Sequence, residues 1–271
     1  MSSDLGEFYG DYGLIEEAFQ HRLDESLHPR GPDCLYDIVA GLGLPAGVHI
    51  IDIGCGSGRQ SLELARRFGF NVLGVDPVLV QIESANAAAD NAPELRSLLR
   101  FELGAAEAIP APDASVDLVW SREMLYHVPS LDKTFAECRR VLKPGGLMLL
   151  QHMFVTDLME PREAAALWQV TDVTRSENMQ VDKVEAAITT AGLSIEQCII
   201  LGGEWGEYGA ENSGEPGRRL VHIARLLRDP DRYIAEFGRA AYEIMLGDCH
   251  WHVYRMIGKL SGRGYVLRAA S

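Results

Sequence analysis

Apolar and polar positions along the chain follow two alternating periods. Residues 15–28 place Ile15, Ala18, Phe19, Leu23 and Leu27 on one helical face, and residues 34–44 repeat the pattern until glycines and Pro45 stop it. "VHIIDIG" (48–54) is a β-branched run of strand length. "RQSLELARRFG" returns to the helical period, with Leu62, Ala65 and Phe68 inward and Gly69 at its end. "NVLGVD" is a second strand and "LVQIESANAAADNA" a second helix. "RFELGAAEAIP" holds a short third strand and "VDLVWSR" a fourth; "LDKTFAECRRVL" is a helix and "GLMLLQHMF" a fifth strand. This alternation predicts parallel strands joined by right-handed crossovers, a doubly wound α/β sheet.

After residue 155 the pattern loosens. Residues 156–180 read as mostly helical, and "DKVEAAITTAG" with "IEQCIILG" restores one helix and one strand. Residues 204–260 are largely helical, with Leu220, Ile223, Ala224 and Leu227 on one face and Phe237, Ala241, Ile244 and Met245 on another. "GRGYVLRA" closes as a last strand. The two irregular segments are too long for plain connections and are expected to cover a site. The expected organisation is a helical lid (1–33), a core (34–155), a helical insertion (156–180), a core continuation (181–203), a helical substrate cover (204–260) and a final core strand (261–271).

Composition narrows the class. Of 271 residues, 47% are hydrophobic and 24% charged, as in ordinary globular proteins. The formal net charge of −14 argues against a nucleic-acid partner or an anionic membrane surface, both of which need a basic face. "GLMLLQHMF", the most apolar stretch, is too short to span a bilayer. The five cysteines are scattered without a C-x-x-C pair, and the acidic N-terminus lacks the apolar core of a signal peptide. Free thiols in a reducing cytoplasm are expected. Nothing in the pattern bears on oligomeric state.

The chemistry concentrates at "IDIGCGSGRQ" (51–60), where a strand runs into Gly54, Gly56 and Gly58. Glycine frees the backbone for tight turning or lets a ligand lie against it. A dinucleotide fingerprint, G-x-G-x-x-G, would require a glycine where Arg59 stands, and no G-K-[ST] phosphate loop follows. Asp76 ends the second strand, where a carboxylate can accept bonds from both ribose hydroxyls. A tight turn that holds no ligand is the competing reading of the glycines.

"IIDIGCGSG", "VLGVDP" and "GAAEAIPAPDASVDLVWSREMLYHVPSLDKTFAECRRVLKPGGLMLL" together resemble the successive motifs of the class I, seven-stranded S-adenosylmethionine-dependent methyltransferases, over about residues 48–150. The resemblance implies a seven-stranded, mostly parallel Rossmann-like sheet, S-adenosylmethionine as cofactor and a small-molecule acceptor. By position in the motifs, Asp52, Gly54, Cys55, Gly56 and Gly58 belong to the methionine and ribose contacts, and Asp76 holds the ribose. Pro77 or Val78 packs on adenine, Ala106 and Glu107 lie at its edge, and Ser121, Arg122 and Glu123 border the methionine part. Many relatives carry an acidic residue where this chain has Ala105, so backbone groups or Glu107 must meet the adenine amino group instead.

Methyl transfer from a sulfonium needs alignment first, and a base only when the acceptor arrives protonated. His127, in "MLYHVPS" after the fourth strand, is either that base or a packing and capping residue. His152, on the fifth strand, is a second possible base; it alternates with Gln151, so only one of the two faces the site. "DCHWHVYR" (248–255) puts only Cys249 and His252 on a common helical face among soft ligands, which does not make a metal site. Trp205, Tyr208, Tyr242, Trp251 and Tyr254 suit a flat organic acceptor, or are core. Tyr9 and Tyr12 resemble a lid segment of such enzymes, with a disordered tail as the alternative, and His28 and Arg30 are expected near the cofactor. The sequence thus points to methylation of O, N or C on a small organic acceptor, a specialised metabolite being favoured. A cyclase on the same scaffold and a nucleotide-dependent oxidoreductase are the alternatives.

Overall fold

The computed structural model describes residues 5–270, with side chains from residue 12 onward. Two helices come first, α1 (Leu5–Leu23) and α2 (Cys34–Gly41). The alternating core follows as β1 (His49–Ile53), α3 (Arg59–Phe68), β2 (Asn71–Asp76), α4 (Leu79–Asp90), β3 (Leu99–Leu103), β4 (Val116–Arg122), α5 (Leu131–Val141) and β5 (Leu142–Val155). Then come α6 (Pro161–Val170), α7 (Val181–Thr190) and β6 (Leu193–Gly202). Four helices precede the last strand: α8 (Glu204–Ser213), α9 (Glu215–Arg228), α10 (Pro230–Phe237), α11 (Arg239–Met256) and β7 (Leu260–Ala269).

The seven strands form one sheet in the order β3-β2-β1-β4-β5-β7-β6. β7 is antiparallel to both its neighbours and the remaining pairs are parallel, so β6 points the same way as β5. The order reverses direction at β1 and β4, the switch point where open sheets bind ligands. The period-two pattern of β1 explains its burial on both faces. Ile51 and Ile53 join Phe135, Cys138 and Ile188 of α5 and α7 in one core; Ile50 joins Leu35, Leu64 and Ile82 of α2, α3 and α4 in the other. Ser130 caps α5 by accepting from the Lys133 amide, and Gly69 ends α3 in the left-handed conformation with its amide donating to the Ala65 carbonyl.

Two stretches depart from the sequence expectation. The first helix ends at Leu23, and the face expected to be buried is open to solvent, Phe19 being 63% exposed. Residues 156–180 hold a single α-helix. Pro161 and the Glu160–Glu163 capping box start it, and Asp172, at φ 53°, turns the chain away before one 3₁₀ turn at Ser176–Met179.

The large insertion, α8 to α11, leaves the carboxyl end of β6 and returns into β7. It therefore stands on the edge of the sheet where the switch point lies. Arg255 of α11 pairs with Glu123 just after β4 (3.8 Å), and the Trp251 ring lies 5.5 Å from that of Tyr126. No helix among the described residues is long and apolar enough to cross a membrane.

Candidate active site

The β1–α3 turn makes one wall of a cleft of about 650 Å³ at the switch point. Its glycines all have positive φ but serve different ends. A Cβ on Gly54 would lie 2.8 Å from the Met124 Cβ, and one on Gly58 would lie 2.9 Å from the Phe101 ring, so both permit close packing of protein on protein. A Cβ on Gly56 would meet nothing nearer than the Gln81 Oε1 at 3.9 Å; it would project into the cleft.

Asp76 closes the opposite wall. One carboxylate oxygen accepts from the Gly56 amide (3.0 Å) and the other from the Val78 amide (2.9 Å). The carboxylate thus fixes the glycine turn while facing the cleft, and each oxygen keeps a lone pair for a further donor. Pro77, Ala105, Ala106 and Glu107 continue this wall. Glu107 Oε1 is buried and has no hydrogen-bond partner among the described residues. A nucleoside would fit these groups: a glycine cradle with open space, a carboxylate for a diol, and an orphaned acceptor for an exocyclic amine.

His127 stands on the third wall, in the 3₁₀ turn Leu125–His127 that follows β4. Its ring is exposed to the cleft, and its Nδ1 lies 2.9 Å from the Asp172 carbonyl oxygen. A carbonyl only accepts, so the contact is a hydrogen bond only when Nδ1 carries the proton. The turn is clamped from below by Asn178, whose Nδ2 donates to the Leu125 and Val128 carbonyls at 2.8 and 2.9 Å.

Several candidate residues lie away from the cleft surface. His152 is fully buried: its Nε2 meets the Asn178 carbonyl at 2.9 Å, and its ring packs on Tyr126 and Phe154. Burial pushes its pKa down to about 4, against the raising effect of the Asn178 bond. It is a core residue and is not among those lining the cleft. Gln151 is equally buried. Cys55 turns into the core beside Gly74 and Phe101, and burial pushes its thiol pKa up. Asp52 is buried beneath the turn, accepting from the Ser61 hydroxyl at 2.6 Å. Burial raises its pKa to about 7, opposed by that bond and by Arg122. Ser121 is buried with a hydroxyl that has no partner among the described residues. Arg122 stacks over the Trp205 ring, 5.1 Å from its centroid.

The aromatic residues do not converge on one pocket. Trp205 is core, between Arg122 and Arg255. Tyr242 lines a separate apolar groove of about 490 Å³ between α9, α10 and α11. Tyr254 lines a crevice against α6, whose Glu163 pairs with Lys259. Trp251 alone reaches the neighbourhood of His127, through Tyr126. Tyr12 is half exposed and does not line the cleft, and the side chain of Tyr9 lies outside the described residues. Arg30 bonds Glu204 and the Ile200 carbonyl rather than approaching the cleft. In "DCHWHVYR", Asp248 pairs with Arg219 at 2.8 Å and Cys249 is buried. Sequence reasoning missed Gln81, Val128, Pro129 and Asp172, which reach the cleft from loops and helix starts.

The reversing sheet, the glycine cradle and the carboxylate after β2 define a Rossmann-like enzyme built around a nucleoside-bearing ligand. A profile for methyltransferase domains matches residues 51–150. The 27-O-demethylrifamycin SV methyltransferase of Amycolatopsis mediterranei (strain S699) is 34% identical over 243 residues, covering 87% of this chain and 82% of that protein. The chain belongs to the class I S-adenosylmethionine-dependent methyltransferases, and its cofactor is S-adenosylmethionine. Its acceptors are small molecules. Other methyltransferases match over shorter stretches, with the chain spanning 31% to 55% of their length. Among solved structures, the [4+2]-cyclase SpnF superposes with a TM-score of 0.68 at 22% identity, covering 88% of this chain and 80% of that one. Geranyl diphosphate methyltransferase in complex with its cofactor superposes at 0.64 with 17% identity, covering 87% and 84%. At these identities the superpositions speak for the fold alone.

Proposed function

We propose that this enzyme methylates a hydroxyl oxygen of a small, largely apolar metabolite, with His127 as the base. One observation carries the reading: the only histidine lining the cleft among the described residues sets its Nδ1 2.9 Å from the Asp172 carbonyl oxygen, an acceptor that would hold the proton there and leave Nε2 to accept one. Bound S-adenosylmethionine supplies a methyl already activated by its sulfonium. The protein must then align the acceptor and, for a hydroxyl, remove its proton. His127 Nε2 takes the proton as the oxygen attacks, and the exposed ring releases it to solvent.

Gly56 and Asp76 would cradle the ribose and Glu107 the adenine amino group, in place of the acid that Ala105 lacks. Ser121 and Arg122 would serve the methionine end from beneath. The acceptor would enter between the His127 turn and α11, where Trp251 braces Tyr126. In this reading α1 and the segment 204–260 belong to the acceptor side of the enzyme. The relative's name puts its methyl on an oxygen of a rifamycin, so 27-O-demethylrifamycin SV is the first acceptor to try, followed by other hydroxylated polyketides.

With methyl-labelled cofactor, the label should appear in an ether product. His127→Ala should lower kcat by roughly 10²–10⁴-fold while calorimetry with S-adenosylhomocysteine finds unchanged affinity. An acceptor converted without incorporating label would replace this reading with a non-methylating reaction on the same scaffold.

A further inference from the structure

We infer that Asp172 is a positioning residue: its main-chain carbonyl, turned inward by a left-handed backbone, fixes the tautomer of His127 and so makes Nε2 the basic nitrogen. The inference rests on the reading of His127 as the base, and concerns what makes it one.

Asp172 has φ 53°, a region that L-residues seldom adopt and that aspartate, asparagine and glycine tolerate best. It sits just past the end of α6, so the left-handed step reverses the chain and brings it back over the His127 turn. Three bonds then join the two segments. The Thr174 amide donates to the Tyr126 carbonyl (2.9 Å), the Thr174 hydroxyl donates to the His127 carbonyl (3.0 Å), and His127 Nδ1 donates to the Asp172 carbonyl (2.9 Å). The first two fix where the Asp172 carbonyl stands relative to the imidazole.

Chemistry sets the direction of the third. A peptide oxygen has no proton to give, so the contact exists only with a protonated Nδ1. In a free neutral imidazole the proton resides on either nitrogen; a fixed acceptor at one nitrogen decides the matter. Were the proton on Nε2, the lone pair would face a carbonyl oxygen and the nitrogen in the cleft would be unable to accept. The same carbonyl also stabilises the imidazolium formed after proton transfer, since the bond becomes charge-assisted. Asp172 is itself a lining residue of the cleft, and the orienting bond comes from its backbone. Side chain and backbone therefore make opposite forecasts for substitution.

The tautomer can be read directly in the unmodified protein. With ¹⁵N-labelled histidine and S-adenosylhomocysteine present, long-range ¹H–¹⁵N spectra distinguish a protonated from a bare ring nitrogen, and His127→Gln assigns the signal. Neutral His127 should show a bare Nε2; a bare Nδ1 or an even mixture would overturn the inference, whatever the enzyme's activity. Asp172→Val, with a β-branched side chain that resists positive φ, should lower kcat by roughly 10–100-fold, part of the 10²–10⁴-fold that a positioned base contributes. It should leave the acceptor KM unchanged and shift the tautomer ratio. Asp172→Gly and Asp172→Asn, which keep the backbone, should restore most of kcat relative to Asp172→Val. If both lose activity as Asp172→Val does, the carboxylate is the active group and the carbonyl is not. Should Asp172→Val fail to fold, Thr174→Val, which removes one strut, should shift the same ratio in part; an unmoved ratio would count against the inference. His127→Ala with undiminished turnover would remove the base reading alone, because the tautomer measurement does not depend on it.

Discussion

At the scale of single residues, Asp76 joins two features through one carboxylate. It accepts from the Gly56 and Val78 amides and lines the cleft proposed for the ribose. Asp76→Ala is therefore expected to weaken S-adenosylhomocysteine binding by at least tenfold, each lost charge-assisted bond contributing roughly 1.5–3 kcal/mol. Calorimetry checks this; an unchanged dissociation constant would confine Asp76 to bracing the turn. Gly56, Asp76 and His127 could be read from the sequence because fixed offsets from strand ends determine where they stand. Asp172 could not, since it meets His127 only through the fold and lies far along the chain. Its sole local signal was a residue type that accepts left-handed backbone, within a stretch that reads as helix. The burial of His152 was hidden for a related reason. Strand alternation gives the face of a side chain but not whether another segment, here Asn178, covers that face.

At the scale of elements, α11 packs closely on α6 at Gly247. A Cβ built on Gly247 would overlap Val170 Cγ2, a methyl of a β-branched side chain with few alternative rotamers in a helix. Elsewhere in a helix, glycine to alanine stabilises by about 0.5–1 kcal/mol. Gly247→Ala is instead expected to destabilise by about 1–3 kcal/mol as the helices are forced apart. Val170→Ala in the same chain should recover most of the loss, and thermal unfolding of the four proteins of this cycle measures the coupling. The strands were legible because buried parallel strands are continuous apolar runs bounded by turn residues. The tertiary role of the helices was not. Helical spacing identifies an apolar face but not what covers it, so the open face of α1 and the three separate settings of Tyr242, Trp251 and Tyr254 emerged only from the packing.

At the scale of the whole molecule, two buried ionisable groups oppose each other. His152 is held neutral to about pH 4 by burial, whereas in the unfolded chain it takes up a proton near pH 6.5, so acidification across that window favours unfolding. Asp52 retains its proton up to about pH 7 when folded and loses it near 3.8 when unfolded, so rising pH favours unfolding. Each contributes a slope of up to about 1.4 kcal/mol per pH unit, of opposite sign, over nearly the same range. His152→Gln removes one of the two. Without cofactor, its stability relative to the parent protein should therefore increase between pH 6.5 and 4.5 in urea titrations. A gap that stays constant with pH would mean that His152 is not held neutral. The path of the insertion has a further consequence. A Cβ on Gly203 would touch the Arg255 and Met256 carbonyls, so α8 to α11 begin and end at one point, between strands that are already paired neighbours. The whole segment is a hairpin connection grown to the size of a small domain. Its length can change as a cassette without shifting the register of a single strand, because both of its ends are held at that one point.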